Sequence, residues 1–166
     1  MKANVAATSK PLLLESGTYY LSMNAKNAAK GAAADYTVGF NAASTLFPAA
    51  TRNDDNWKTF VGATLASGET AEGWVGFGDI TDFFKFNHTD GGAISLTLDE
   101  ATAADFRQKK LKITCLDAAG KSVALGSITG DNLLLSKKVA VAGDYFLGIT
   151  CAKPKDTDCT FAVKVG

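Results

Sequence analysis

The sequence has little of what catalytic and nucleic-acid-binding sites usually need. It has a single histidine, and its basic and acidic side chains are equal in number, 17 of each. No surplus of positive charge therefore predicts binding to DNA, RNA or an anionic membrane. No apolar run approaches the ~20 residues of a membrane-spanning helix. The first ten residues lack the apolar centre of a secretory signal, so the signal of a secreted parent protein would lie upstream.

The single histidine, His88, would have to serve any Ser-His-Asp triad in this chain. The sequence has no Gly-x-Ser-x-Gly motif, and His88 precedes the turn sequence Thr89-Asp90-Gly91-Gly92. We interpret it as a surface-loop histidine. A pair of glycosidase-type carboxylates stays open among the 17 acidic residues, although none has a distinctive context. The sequence predicts that the protein is not an enzyme, and a fragment of a secreted hydrolase is the least favoured alternative.

Cysteine is scarce and odd in number, because the chain has only Cys115, Cys151 and Cys159. Cys151 and Cys159 flank a seven-residue polar loop, 152–158, between two strand-like runs, and both are in phase with apolar residues. Facing cysteines at the base of a hairpin can form a disulfide, so Cys151–Cys159 is a candidate. Two packed free thiols are the alternative. The lack of a Cys-x-x-Cys pair and of further histidines is evidence against a zinc site.

Alternation of apolar and polar residues dominates the rest of the chain and predicts strands with one buried face. Ile94, Leu96 and Leu98 show it, as do 111–115, 84–86 and 145–149. Glycine- and Asx-rich turns separate these runs, as in Asp117-Ala118-Ala119-Gly120. Only residues 99–108 indicate a helix, and a short one. Many short strands with frequent turns predict an all-β protein, an antiparallel β-sandwich.

The two ends of the chain repeat each other. Residues 9–40 contain Ser-Lys, then Gly-Thr-Tyr-Tyr-Leu, and residues 136–165 contain Ser-Lys, then Gly-Asp-Tyr-Phe-Leu. A repeat seen only at the two ends indicates an array of modules. We therefore expect residues 1–44 to be the closing strands of a preceding repeat, an extra N-terminal β-hairpin, and residues 45–166 to be one complete module.

An isolated hairpin is only marginally stable in water, so the apolar face of residues 9–40 needs a partner. That partner could be the complete module of the same chain or the exposed sheet edge of another chain. The sequence therefore predicts neighbouring repeats of the same chain as partners, together with a strand-exchanged homodimer.

Four motifs in order extend over residues 53–165. They are Asn53-Asp54-Asp55, Gly78-Asp79-Ile80-Thr81-Asp82-Phe83-Phe84, Leu116-Asp117-Ala118-Ala119-Gly120 and Gly143-Asp144-Tyr145-Phe146-Leu147. In this arrangement the chain resembles the bacterial pre-peptidase C-terminal (PPC) domain family, of the tandem-repeat type. The resemblance implies a jelly-roll-like sandwich without catalytic residues, attached to secreted or cell-surface proteins.

Some members of that family bind calcium between an N-terminal acidic stretch and the Asp-x-x-Asp turn. Carried over to this sequence, the resemblance implies calcium as a cofactor, with the candidate ligands Asn53, Asp54, Asp55, Asp79 and Asp82. Oxygen ligands of this kind suit calcium, which takes about 6–8 of them. The alternative is that Asp79 and Asp82 cap the turn by accepting hydrogen bonds from backbone N–H groups.

Both tryptophans, Trp57 and Trp74, are candidate ligand-binding residues, since aromatic side chains with a polar handle are common at binding surfaces. Packing at the edge of the module is the alternative. The outward face of a strand is indicated by Lys109, Lys110 and Lys112. The function expected from the sequence is a non-catalytic, calcium-stabilised spacer or a weak protein- or glycan-binding domain; a carbohydrate-binding module using Trp57 and Trp74 is the runner-up.

Overall fold

The alternating runs of the sequence form strands in the structure, a computed structural model that describes residues 18–22, 37–39, 55–89, 92–126, 133–139 and 141–166. A short 3-10 helix spans Trp57–Thr59 and the one α-helix, α1, spans Glu100–Arg107. The strands in the described residues are β1 (Thr64–Leu65), β2 (Thr70–Val75), β3 (Thr81–His88), β4 (Ala93–Leu98), β5 (Leu111–Asp117), β6 (Ser122–Val123), β7 (Leu134–Lys138), β8 (Gly143–Cys151) and β9 (Cys159–Val165).

These strands form two sheets. One has the order β1-β3-β8-β5-β6 and the other β2-β9-β4-β7. Among the paired strands only β1 and β3 run parallel; the other named pairs are antiparallel. Most consecutive strands lie in opposite sheets, as β2 and β3 do. The predicted all-β sandwich is confirmed.

The core lies between the sheets and consists of the inward-facing member of each alternating pair. Ile94, Leu96 and Leu98 of β4 are buried, and so are Leu147 and Ile149 of β8. Successive strand residues point to opposite faces, so one period-two run supplies a continuous apolar face. The inward faces predicted for these two strands are confirmed.

The short helix is also confirmed, and its position has a clear cause. Asp99 caps α1 by accepting a hydrogen bond from the Thr102 backbone N–H at 2.8 Å. The helix then continues beside β9 where β4 ends. The Asp99 N–H donates to the Ala162 carbonyl at 3.2 Å, and the Ala162 N–H donates to the Thr102 hydroxyl at 2.9 Å. The start of α1 therefore supplies hydrogen-bond partners to the main chain of β9 where β4 does not reach.

The turn between β5 and β6 has the Asx chemistry that the sequence predicts. One carboxylate oxygen of Asp117 accepts hydrogen bonds from the N–H groups of Ala119, at 3.0 Å, and Lys121, at 2.8 Å. Gly120 follows in a left-handed conformation, with φ of 78°. A Cβ there would lie 2.3 Å from the ring of Trp57, so the glycine also makes room for that ring.

The closing strands are not the hairpin that the sequence suggests. β8 pairs with β3 and β5, whereas β9 lies in the other sheet between β2 and β4. Cys151 ends β8 and Cys159 begins β9, and both thiols are buried and free, as is that of Cys115. The Cys151 thiol donates to the Thr157 carbonyl at 3.4 Å. The structure has these thiols free and packed, which is the alternative left open by the sequence, and chemical labelling decides between it and the Cys151–Cys159 disulfide.

The burial of these cysteines gives a direct test of their state. Burial raises the pKa of the Cys115 and Cys159 thiols to about 12, so almost no thiolate exists at pH 8. Iodoacetamide should therefore leave both unlabelled in the native protein, and without reductant it should label all three cysteines in denaturant, as counted by mass spectrometry. A pre-reduced sample is the control. Labelling of only one cysteine in the unreduced, denatured chain would establish the disulfide instead.

The N-terminal hairpin lies mainly outside the described residues, as do the candidate ligands Asn53 and Asp54. Of residues 1–44 the structure describes only 18–22 and 37–39, which form no strand. Tyr20 is 93% exposed and Leu21 is 59% exposed. The assignment of residues 1–44 to a preceding repeat remains a prediction.

Candidate metal centre

The turn between β2 and β3 places the first candidate ligand. The Gly76 N–H donates to the Asp79 carbonyl at 2.6 Å, and the Asp79 N–H donates to the Gly76 carbonyl at 3.4 Å. Gly78 lies between them with φ of 99°, a conformation that favours glycine. Main-chain bonds therefore close this turn. The turn places the Asp79 side chain in the interior, where it is fully buried.

Strand β3 places the second candidate ligand, Asp82. Asp82 shares the inward face of β3 with Phe84 and Phe86, because residues two apart point the same way. Its carboxylate is fully buried between the sheets. Opposite it, in β2, lies Gly73, where a Cβ would come within 2.8 Å of one Asp82 carboxylate oxygen. The glycine leaves the space that this carboxylate occupies.

The third ligand comes from the segment that leads into the sandwich. Asp55 precedes the 3-10 helix, whose start is capped by Asn56, which accepts from the Lys58 N–H at 3.1 Å. This segment is held to the outer face of the larger sheet by two ring contacts. Trp57 and Phe60 both pack on Phe146, with ring centroids 5.6 Å and 6.2 Å apart. Aromatic packing thus fixes the position from which Asp55 extends.

The three carboxylates meet at one point. One ligand oxygen from each of Asp55, Asp79 and Asp82 lies within 4.8 Å of the other two. Asp55 is exposed and lines an open cleft of about 390 Å³ with Gly78, Ile80 and Thr81. Three negative groups in so small a volume favour a cation, and carboxylate oxygens are the ligands that calcium prefers. The residues present fit such an ion, since each carboxylate can offer two oxygens.

The structure therefore brings together three of the five predicted ligands, while Asn53 and Asp54 lie outside the described residues. Gly73 belongs to the same site, and sequence reasoning missed it. The available signal was a glycine inside a strand run, which often marks a place where another group approaches the backbone closely.

The two tryptophans do not form a surface platform, and this prediction is wrong for Trp74. Its side chain is fully buried, and the ring lies so close to Gly76 that a Cβ there would be 2.4 Å from Cζ2. Its indole N–H points to Asp158 at 3.5 Å. Trp57 is half-buried on the outer face of the other sheet. A ligand therefore cannot stack on both rings at once.

His88 is not a surface-loop residue either. It ends β3 on the inward face, is only 8% exposed, and meets the Tyr145 ring edge-on with centroids 5.8 Å apart. Its Nε2 has no hydrogen-bond partner among the described residues. The alternation of inward and outward side chains in β3 continues beyond Phe86, where the sequence interpretation placed the end of the strand. The His88 side chain therefore lies in the core.

No helix in the described part of the chain is long and apolar enough to cross a membrane. No family model and no curated protein matches the sequence. Among solved structures, the pre-peptidase C-terminal domain of a collagenase from Bacillus anthracis is 20% identical with a TM-score of 0.45, over 62% of this chain and 92% of that one. It is a domain of the family that the four sequence motifs resemble.

Two further solved structures are similar to this chain, both of them PliG, a periplasmic inhibitor of g-type lysozyme. The Salmonella Typhimurium protein is 12% identical with a TM-score of 0.39, over 63% of this chain and 100% of that one. The Aeromonas hydrophila protein is 9% identical with a TM-score of 0.35, over 63% and 100%. The fold class of this chain is established by its own two sheets.

Proposed function

We propose that this chain is a non-catalytic β-sandwich module that calcium stabilises, acting as a spacer or weak polymer-binding domain of a secreted or cell-surface bacterial protein. One observation carries the proposal. The ligand oxygens of Asp55, Asp79 and Asp82 lie within 4.8 Å of one another, and two of the three side chains are fully buried.

The origin of the three ligands supports a spacer role. Asp55 belongs to the segment that leads into the module, Asp79 to the β2–β3 turn and Asp82 to the interior of the larger sheet. A bound ion would tie the entering segment to the sandwich at a point close to the predicted start of the module at residue 45. It would therefore fix the direction in which a preceding repeat leaves this one, which is what a stiff spacer needs.

The chemistry favours calcium over magnesium. Magnesium requires near-ideal octahedral geometry and keeps several of its waters, whereas calcium accepts irregular sets of carboxylate and carbonyl oxygens. Two of these carboxylates are buried, so they leave little room for an ion that retains several waters. Neighbouring repeats of the same chain, and a strand-exchanged homodimer, are the proposed partners.

Calorimetry of the full chain tests the proposal. An ion that binds only the folded state should raise the free energy of unfolding by about 2.7 kcal/mol at a hundred times its Kd. Extracellular calcium modules typically have Kd values of about 10⁻⁴–10⁻³ M, so the melting temperature should rise steadily up to tens of millimolar calcium. EDTA should reverse the rise, and magnesium at equal concentration should give a smaller one. If the melting temperature does not change with calcium over this range, the ion does not stabilise the fold.

A further inference from the structure

The sandwich exposes large apolar side chains at its two opposite ends. The first end carries the β2–β3 turn, where the side chains of Phe77 and Ile80 are half-exposed. We call it the entry end, because the Asp55 carboxylate meets the aspartates of the same turn there. Single exposed apolar residues are common on protein surfaces, but two in one turn form a patch that marks a candidate contact surface.

The second end lies where β9 finishes, and we call it the far end. The last residue of β9, Val165, donates its N–H to the Glu69 carbonyl at 2.9 Å, just before β2 begins. β2 then runs to the entry end over six residues, so the two ends are about 20 Å apart at about 3.3 Å per strand residue. The Ser95 N–H donates to the Gly166 carbonyl at 2.9 Å, which places the start of β4 at the far end too.

Val141 is an exposed apolar residue of the far end. It lies between Lys138, which pairs with the first residue of β4, and Gly143, which begins β8 opposite His88. The Val141 side chain is 69% exposed, and its carbonyl accepts a hydrogen bond from the Tyr145 hydroxyl at 2.8 Å. A buried tyrosine thus fixes the backbone from which this side chain extends into solvent.

The internal repeat of the sequence indicates which surface meets which. Residues 36–40 match residues 161–165, so in a preceding repeat Phe40 would take the place that Val165 has at the far end. Only residues 41–54 separate Phe40 from Asp55, which lies at the entry end. In an array, the far end of one repeat is therefore joined to the entry end of the next.

We propose that the entry end binds the far end of a second copy of this module, with Phe77 and Ile80 packed against the neighbour's Val141. The two surfaces differ and lie at opposite ends, so the contact is heterologous and extends into a string of modules. In an array, the connecting segment raises the effective concentration of the two surfaces, so a small apolar contact is sufficient. The inference rests on the proposed spacer role and names the surface through which consecutive modules meet.

Cross-linking of the full chain tests this contact, because the three native thiols are buried and free. In the variant Phe77→Cys/Val141→Cys, mild oxidation at high protein concentration should give a ladder of dimers, trimers and longer chains. The two ends are too far apart for a disulfide within one copy, so each link joins two copies.

The matched control is Phe77→Cys/Val61→Cys, since Val61 is also apolar and is 80% exposed but belongs to neither end. The pair at the two ends should form links between copies about tenfold or more faster than the control pair, because only the former is held together by the contact. Equal rates for the two pairs would overturn the proposal.

A second experiment separates the head-to-tail contact from strand exchange. Phe77→Ser/Ile80→Ser removes the entry patch and Val141→Ser removes the far one, and both variants should fold because the replaced side chains are exposed. In sedimentation velocity each variant alone should be monomeric. An equal mixture should form 1:1 complexes, because each variant retains the end that the other lacks. Association of either variant alone, or a mixture that stays monomeric, would refute the contact.

Both experiments are carried out in calcium and in EDTA. Phe77, Ile80 and Val141 are not candidate ligands of the ion, so association is expected in both. A melting temperature that does not respond to calcium would then remove the ion from the proposed function and leave this contact in place. If copies do not associate and the chain instead sediments with phosphatidylcholine vesicles, the entry patch contacts lipid and the proposal is wrong.

Discussion

Replacing Trp74 by alanine is expected to lower the free energy of unfolding by about 3–5 kcal/mol, the range for removing a large buried aromatic ring. The ring is fully buried, although it points away from the core-facing Ala71 and Val75 of the same strand. Its loss would leave a cavity next to Gly76 and free Asp158 of its indole contact. Urea unfolding followed by circular dichroism measures the change.

Trp57 provides the matched control, because it is the same residue type in a half-buried position. Trp57→Ala removes the contact with Phe146 and uncovers Gly120, so it should destabilise the fold by less than half as much. If Trp74→Ala instead unfolds at the same urea concentration as the parent, the ring is not packed as described. In that case the prediction that Trp57 and Trp74 form a surface platform would stand.

Asp82→Asn is expected to abolish the response to calcium while keeping the shape of the side chain. The amide is nearly isosteric with the carboxylate but has one neutral oxygen in place of two charged ones, and calcium affinity depends on ligand charge. At a hundred times the Kd of the parent, the variant should lack the stabilisation of about 2.7 kcal/mol. Thermal unfolding of both proteins in calcium and in EDTA gives the four values needed.

Asp144→Asn serves as the control, since it makes the same chemical change at a surface carboxylate paired with Lys85 at 2.7 Å. That variant should keep the full calcium response. Retention of the response by Asp82→Asn would show that the aspartate cluster does not hold the ion, whereas its loss in both variants would point to a general effect of charge.

Local features of the fold could be read from the sequence because local chemistry decides them. The buried face of β4, the short helix α1 and the turn at Asp117 each depend on residues a few positions apart. A period of two, an Asx cap and a glycine in a left-handed turn have the same physical effect in almost any context.

Pairing between distant segments could not be read in this way. Alternation shows that β8 and β9 are strands but not which strands they pair with, and a tight connection suggested a hairpin. The burial of Trp74 and His88 likewise depends on what the rest of the chain packs against them. At the site, the resemblance grouped Asp55 with Asp79 and Asp82, whereas the glycine inside the strand run at Gly73 could signal a close approach but not that Asp82 is the group that approaches.

The division of the closing strands between the two sheets has a consequence for exchange between copies. β8 and β9 each have a partner strand on both sides, so removing the pair splits both sheets at once. A folded monomer that traded these strands would have to cross a barrier close to that of global unfolding. An exchanged dimer of this kind would form while the chain first folds. After dilution it would dissociate only as slowly as the monomer unfolds.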